Sequence, residues 1–218
     1  MRRNVIPILA LVLAAAMTAH LVPLAAQEVV DRIAARVEND VILLSEIRAL
    51  SRYQQLVDGK SETDAQILDR LIDQWIVRTE AEVSRQSQPS DMEVDRVLSR
   101  LRSSFASEQE FDARKKQAGL GDQDVRAMIS SQLFLSNYLD SRFRPGVQID
   151  PKAIEVFYEK SVVPRAKARG QEPPSLEASR DAIEEALVEN GINEQADQWL
   201  KESRQRLRIE KLSEEGAK

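Results

Sequence analysis

The sequence predicts a mainly α protein with a small antiparallel β element. Three observations carry this. Glycine and proline are sparse, at 7 and 8 residues, while 31% of residues are charged and only 5% aromatic. Apolar residues recur at helical spacing from Ser45 onward. Short alternating segments stand at both ends of the chain, outside the helical region. This composition suits helices around a thin core. There is no internal repeat and no low-complexity segment.

The alternating segments set the topology. Ile33, Ala35 and Val37 alternate with Arg32, Ala34, Arg36 and Glu38, a period of two that reads as a half-buried strand. Asn39-Asp40 supplies turn residues, and Val41–Leu44 reads as a second strand. Leu207-Arg208-Ile209-Glu210 alternates again near the other end. A lone strand cannot satisfy its backbone groups. It is therefore expected to pair with the N-terminal hairpin, with the helices from Ser45 to Arg144 forming a lobe between.

The helices carry their own punctuation. Ser45 is expected to cap a helix running to about Val57, and Ser61 the next one. In that second helix Leu68, Leu71, Ile72, Trp75 and Ile76 make one apolar face. Ser90 with Glu93, and Ser107 with Glu110, have capping-box spacing. Gly119 stands where a helix ends in the left-handed region. A long helix is expected from about Asp122 to Arg144, stopping before Pro145. Asp150-Pro151 reads as an N-cap followed by proline in the first turn, and that helix is expected to end by Pro164. The stretch from Pro164 to Pro174 is polar, basic and turn-rich and reads as a linker. A final helical pattern runs from Leu176 to Leu200, with Gly191 as a possible interruption.

The N-terminus has the layout of a cleavable secretory signal: Arg2-Arg3, an apolar run from Val5 to Met17, then small residues ending in Ala25-Ala26. The run is short of the roughly 20 residues that span a bilayer. Cleavage after Ala26 is expected, giving a periplasmic or secreted chain with no membrane span. The removed piece carries two arginines and no acid, so the net charge of -5 becomes -7. It also carries His20, the single histidine, and the chain has no cysteine. These counts argue against disulfides, thiolate nucleophiles, Cys/His zinc sites and histidine-based triads. No cofactor is implied. An acidic chain without a basic stripe also argues against nucleic acid as a partner.

Val29 through Ile42, followed by Ser45-Glu46, resembles the mature start of SurA-type periplasmic chaperones. Leu68-Asp69-Arg70-Leu71-Ile72 is similar in order to the helices that follow there. Gln198-Trp199-Leu200 through Ile209-Glu210-Lys211-Leu212 looks like the family's closing helix and strand. With the signal at 1–26 set apart, the resemblance implies a hairpin and helical chaperone lobe at 27–144, a helix and linker at 145–174, and a C-terminal helix and strand at 175–218. Family members insert parvulin-type prolyl isomerase domains at the helix and linker. Here the slot between Tyr158 and Pro174 is far shorter than such a domain.

The function expected is a holdase that binds unfolded outer-membrane or secreted polypeptides without catalysis. A dedicated envelope adaptor subunit is the alternative, and a prolyl isomerase the second alternative. Binding calls for exposed apolar surface. The helix after Asp122 carries Val125, Ile129 and Leu133 on one arc and Ala127, Phe134 and Tyr138 on another. A helix apolar on two sides is either sandwiched in the core or offers one side to a partner. Phe105, Ala127, Phe134 and Tyr138 are the candidate polypeptide-binding residues. Phe105 could instead be a staple beside the Ser107 cap. Trp75 reads as core, and Trp199 as core or sheet-packing.

Overall fold

The structure, a computed structural model, describes residues 31–212. The expected signal segment and its cleavage site lie outside the described residues. The architecture follows the sequence expectation: helices dominate, and a three-stranded antiparallel sheet joins the two ends of the described chain.

Strands β1 (Ile33–Val37) and β2 (Asp40–Leu43) form the hairpin, and β3 (Ile209–Lys211) adds to its other side. The order is β2-β1-β3, so β1 is central. Val37 faces Asp40 on one side and Ile209 on the other. The turn sits one residue earlier than expected, at Glu38-Asn39. Glu38 takes a positive φ of 54°, a conformation that non-glycine residues seldom adopt. Its backbone N–H donates to the Arg208 carbonyl at 3.0 Å, and its carboxylate accepts from the Arg208 N–H at 2.6 Å. The incoming third strand thus holds the turn residue in place, which local sequence could not report. Asp40 is released into β2, where its carboxylate accepts from Trp75 Nε1 at 2.9 Å.

Helix α1 (Leu44–Asp58) starts one residue before Ser45. Its first turn is closed by two carboxylates: Glu46, within the helix, accepts the Leu43 N–H at 2.7 Å, and Asp31, before the sheet, accepts the Ser45 N–H at 3.2 Å. Helix α2 (Asp64–Val83) is capped by Thr63 with Gln66, two residues beyond Ser61. Ser61 instead bonds Ser51 and the Glu62 carbonyl, tying the connection down. Of the four serine caps expected, Ser45 and Ser61 are thus displaced and two are present: Ser90 opens α3 (Asp91–Ser103) and Ser107 opens α4 (Glu108–Gln117). In the second, the Glu110 carboxylate reaches the Ala106 N–H at 3.1 Å. Gly119 has φ 66° and closes that turn. Helix α5 (Asp122–Phe143) ends in one 3₁₀ turn across Pro145.

Two breaker readings are corrected. The helix after Asp150 does not stop at Pro164. Helix α6 (Pro151–Phe157) passes through one π turn (Tyr158–Val162) into α7 (Val163–Ala168). Proline lacks an N–H and its ring crowds the carbonyl four residues back. A wider π turn just before it, closed by Val163 N–H to the Tyr158 carbonyl, relieves that crowding. The linker therefore narrows to the residues after Ala168. Nor does Gly191 interrupt α8 (Leu176–Arg206), which is continuous. A Cβ there would meet Val147 Cγ1 at 2.7 Å, so glycine at 191 is the space Val147 occupies.

Three buried clusters fill the interior. The first lies under the sheet, where Ala35, Val37 and Ile42 meet Ile47 and Leu50 of α1 and Ile67, Ile72 and Ile76 of α2. The second holds Leu56, Phe111, Val125 and Ile129, with Phe105 packed at its margin. The third joins Val77 and Ala81 of α2 to Phe134, Leu135 and Tyr138 of α5, and is covered by Trp199 and Leu200 of α8. Burying one such large side chain stabilises by about 1.5–3 kcal/mol. No helix among the described residues is long and apolar enough to cross a membrane.

Candidate functional site

The four candidate residues do not share a surface. Phe134 and Tyr138 are 5% and 3% exposed and belong to the third cluster. The sandwiched reading of α5 is the one adopted at these two positions, so neither is open to a partner in this conformation. Phe105 is half-buried and stacks edge-on against Phe111, centroids 5.3 Å apart, with Arg114 over its ring at 5.6 Å. It serves the second cluster. Ala127 alone is exposed, and a single methyl offers little binding area.

A half-buried pair of aromatics outside the candidate set lies elsewhere, along α8. Glu194, Gln195, Gln198, Trp199 and Glu202 fall on one side of that helix. With Phe143, the last residue of α5, they line a shallow recess of about 370 Å³. Phe143 and Trp199 form its floor, ring centroids 5.9 Å apart and planes tilted by 56°. Behind them Tyr138 lies 6.5 Å from Trp199.

Arg142 fixes this floor. Its guanidinium carbon sits 4.9 Å from the Trp199 centroid and 5.5 Å from that of Phe143. Its Nη1 donates to the Tyr138 hydroxyl at 2.8 Å. Cation–π contact of this kind contributes about 0.5–1 kcal/mol at exposed positions. Arg144 adds a second tie, donating to Asp140 and, through two nitrogens, to Glu185 of α8. Hydrogen bonds from Arg144 hold the Glu185 carboxyl below the usual range. A third tie lies at the end of α8. Arg204 donates to the Asp73 carboxylate at 2.6 Å and to the Asp69 carboxylate and carbonyl at 3.0 and 2.6 Å. Lys211 of β3 reaches Asp69 as well, at 2.7 Å. Burial raises Asp69, but the hydrogen bonds from Lys211 and Arg204 outweigh it and leave its carboxyl lowered.

Other depressions are less suited to an apolar ligand. One, of about 450 Å³, is lined by Gln55, Gly59, Lys60, Arg114, Gln117 and Ala118. Its lining is polar, and binding without chemistry draws chiefly on apolar area. A groove of about 350 Å³ between α2 and the end of α8 contains Trp75, Ile76 and Leu207 beside Glu80 and Arg206.

The recess was not legible from spacing. Phe143 and Trp199 lie far apart in sequence, and Trp199 reads as core or sheet-packing from its place in the closing helix that the resemblance implies. The signal that could have found it is the row of glutamine and glutamate at positions 194, 195, 198 and 202 around one aromatic, polar where a core-facing stripe is apolar. No family model matches the chain, and comparison with curated proteins finds no match.

Proposed function

We propose that the chain is a periplasmic holdase-type chaperone that binds unfolded outer-membrane or secreted polypeptides without catalysis. One observation carries the reading: β3 pairs with the N-terminal hairpin, closing the two ends of the described chain on each other below a helical lobe. That is the arrangement the SurA-type resemblance implies for a chaperone core. The segment between Tyr158 and Pro174, where relatives of that type carry an isomerase domain, is closed by a hydrogen bond from the Tyr158 hydroxyl to the Pro174 carbonyl at 2.8 Å. The half-buried aromatic floor of Phe143 and Trp199 is the surface that would meet a client's side chains. Extended clients also pair readily with sheet edges, and β2 and β3 are edge strands.

The test is suppression of aggregation. Residues 27–218 are mixed with chemically unfolded outer-membrane proteins, and light scattering is followed after dilution. Suppression at near-stoichiometric ratio is expected. No suppression across a panel of clients would refute the proposal. A pull-down from the cell envelope separates a chaperone, which brings down many unfolded clients, from an adaptor, which brings down one folded partner.

A further inference from the structure

The charge around the α8 recess narrows the kind of segment it takes. Its floor is aromatic, and its two ends are acidic. Glu194 stands at one end and Glu202 at the other. Neither carboxylate has an ion pair among the described residues. Among the described residues the only side-chain hydrogen bond to either is from Gln198 to Glu202 at 2.7 Å. Arg142, the cation over the floor, is already engaged by the rings and by the Tyr138 hydroxyl, and Arg206, one turn beyond Glu202, donates to Ser203 at 3.3 Å. Arg144 is held by Asp140 and Glu185. The rim therefore keeps unneutralised negative charge beside apolar rings.

The spacing gives the register. Positions 194 and 202 are eight residues apart on one helix, about 12 Å along the axis at 1.5 Å per residue. An extended chain covers about 13 Å in four residues, and its side chains at i, i+2 and i+4 point the same way. Gln195 and Gln198 lie between, and the Gln195 amide has no hydrogen bond among the described residues. A side-chain amide offers both donor and acceptor to a passing backbone.

We propose that the recess binds an extended segment of the form basic-x-aromatic-x-basic. The central ring rests on Phe143 and Trp199. The flanking Lys or Arg side chains lay their stems on the apolar floor and bring their charges to Glu194 and Glu202. The inference rests on the chaperone reading for the nature of the partner, but it adds a sequence preference that a general holdase need not have.

The test uses labelled disordered nonapeptides with a Lys-x-Phe-x-Lys, Ser-x-Phe-x-Ser or Glu-x-Phe-x-Glu centre. Fluorescence anisotropy is read with the whole mature chain and with a Glu194→Gln, Glu202→Gln double variant. Both glutamates are exposed, and an unchanged circular dichroism spectrum confirms that the variant folds. The lysine peptide is expected to bind about fivefold more tightly than the serine peptide, as two exposed charge pairs allow, and the glutamate peptide most weakly. The double variant is expected to lose that order. Added salt should shrink the preference. Equal binding of the three peptides, no binding of any, or a preference that survives in the variant each overturns the proposal. Aggregation suppression measured in parallel separates the two ideas. Suppression without the lysine preference sinks the inference and leaves the holdase. The preference without suppression sinks the general holdase and leaves the inference.

Discussion

Replacing Gly191 with alanine sets two effects of known size against each other. In a helix interior alanine is favoured over glycine by about 0.8–1.0 kcal/mol, and α8 is continuous through this residue. On that ground alone the substitution stabilises. The added Cβ would lie 2.7 Å from Val147 Cγ1 and 3.1 Å from Cγ2. Valine is stiff about χ1, so it cannot swing a distal group away and its backbone must give. Overpacking of this kind costs about 1–3 kcal/mol. The sum favours destabilisation by about 1 kcal/mol, or ~2–4 °C in Tm for a chain of this size. Urea denaturation followed by circular dichroism reads it as a lower midpoint at constant slope. The decisive background is Val147→Ala. The two Cγ contacts are gone there, and only the Val147 Cβ remains, at an ordinary 3.5 Å. Gly191→Ala should then stabilise, reversing its sign. Stabilisation of the same size in both backgrounds would refute the packing account of Gly191.

Other outcomes follow from the same contacts. Arg204→Ala strips three hydrogen bonds from Asp69 and Asp73 and should cost about 1–3 kcal/mol. Amide exchange should accelerate in β3 more than in α3, and the cost should shrink in an Asp69→Asn background. Ile72 is fully buried under the sheet, so Ile72→Val should cost about 0.5–1.5 kcal/mol and Ile72→Ala about 2–5. A smaller difference between the two would mean that the first cluster collapses around the void. Hydrogen bonds from Arg70 and then Gln54 take Glu62 from its ordinary 4.5 down to about 2, and Asp69, Asp122 and Glu185 are also lowered. A carboxyl lowered in the folded state adds stability above its unfolded value, and loses it as pH falls toward the folded value. No histidine lies among residues 31–212. The urea midpoint should therefore vary little between about pH 6 and 8 and fall progressively below about pH 4.5. A marked step near pH 6.5 would contradict this.

Much of the fold could be read from the sequence because the relevant physics is local. Ser90 and Ser107 bond the backbone three residues on, and Asp150-Pro151 opens a helix through its own φ and side chain. The period of two around Ile33–Val37 and the need of the last strand for a partner were enough to bring the ends of the described chain together. Where local rules failed, a distant group had intervened. Arg208 holds Glu38 at positive φ and moves the turn, Val147 fills the space at Gly191 and lets the helix run on, and a π turn carries the chain past Pro164. The candidate site failed for a similar reason. Periodicity shows that α5 is apolar on two sides, yet only the arrival of α2 and α8 decides that Phe134 and Tyr138 are covered while Phe143 and Trp199 are left half-buried. By itself the sequence determined the composition of each face and the class of the fold. The tertiary structure alone decided which apolar face is left to solvent, because burial belongs to pairs of surfaces and neither segment carries that information singly.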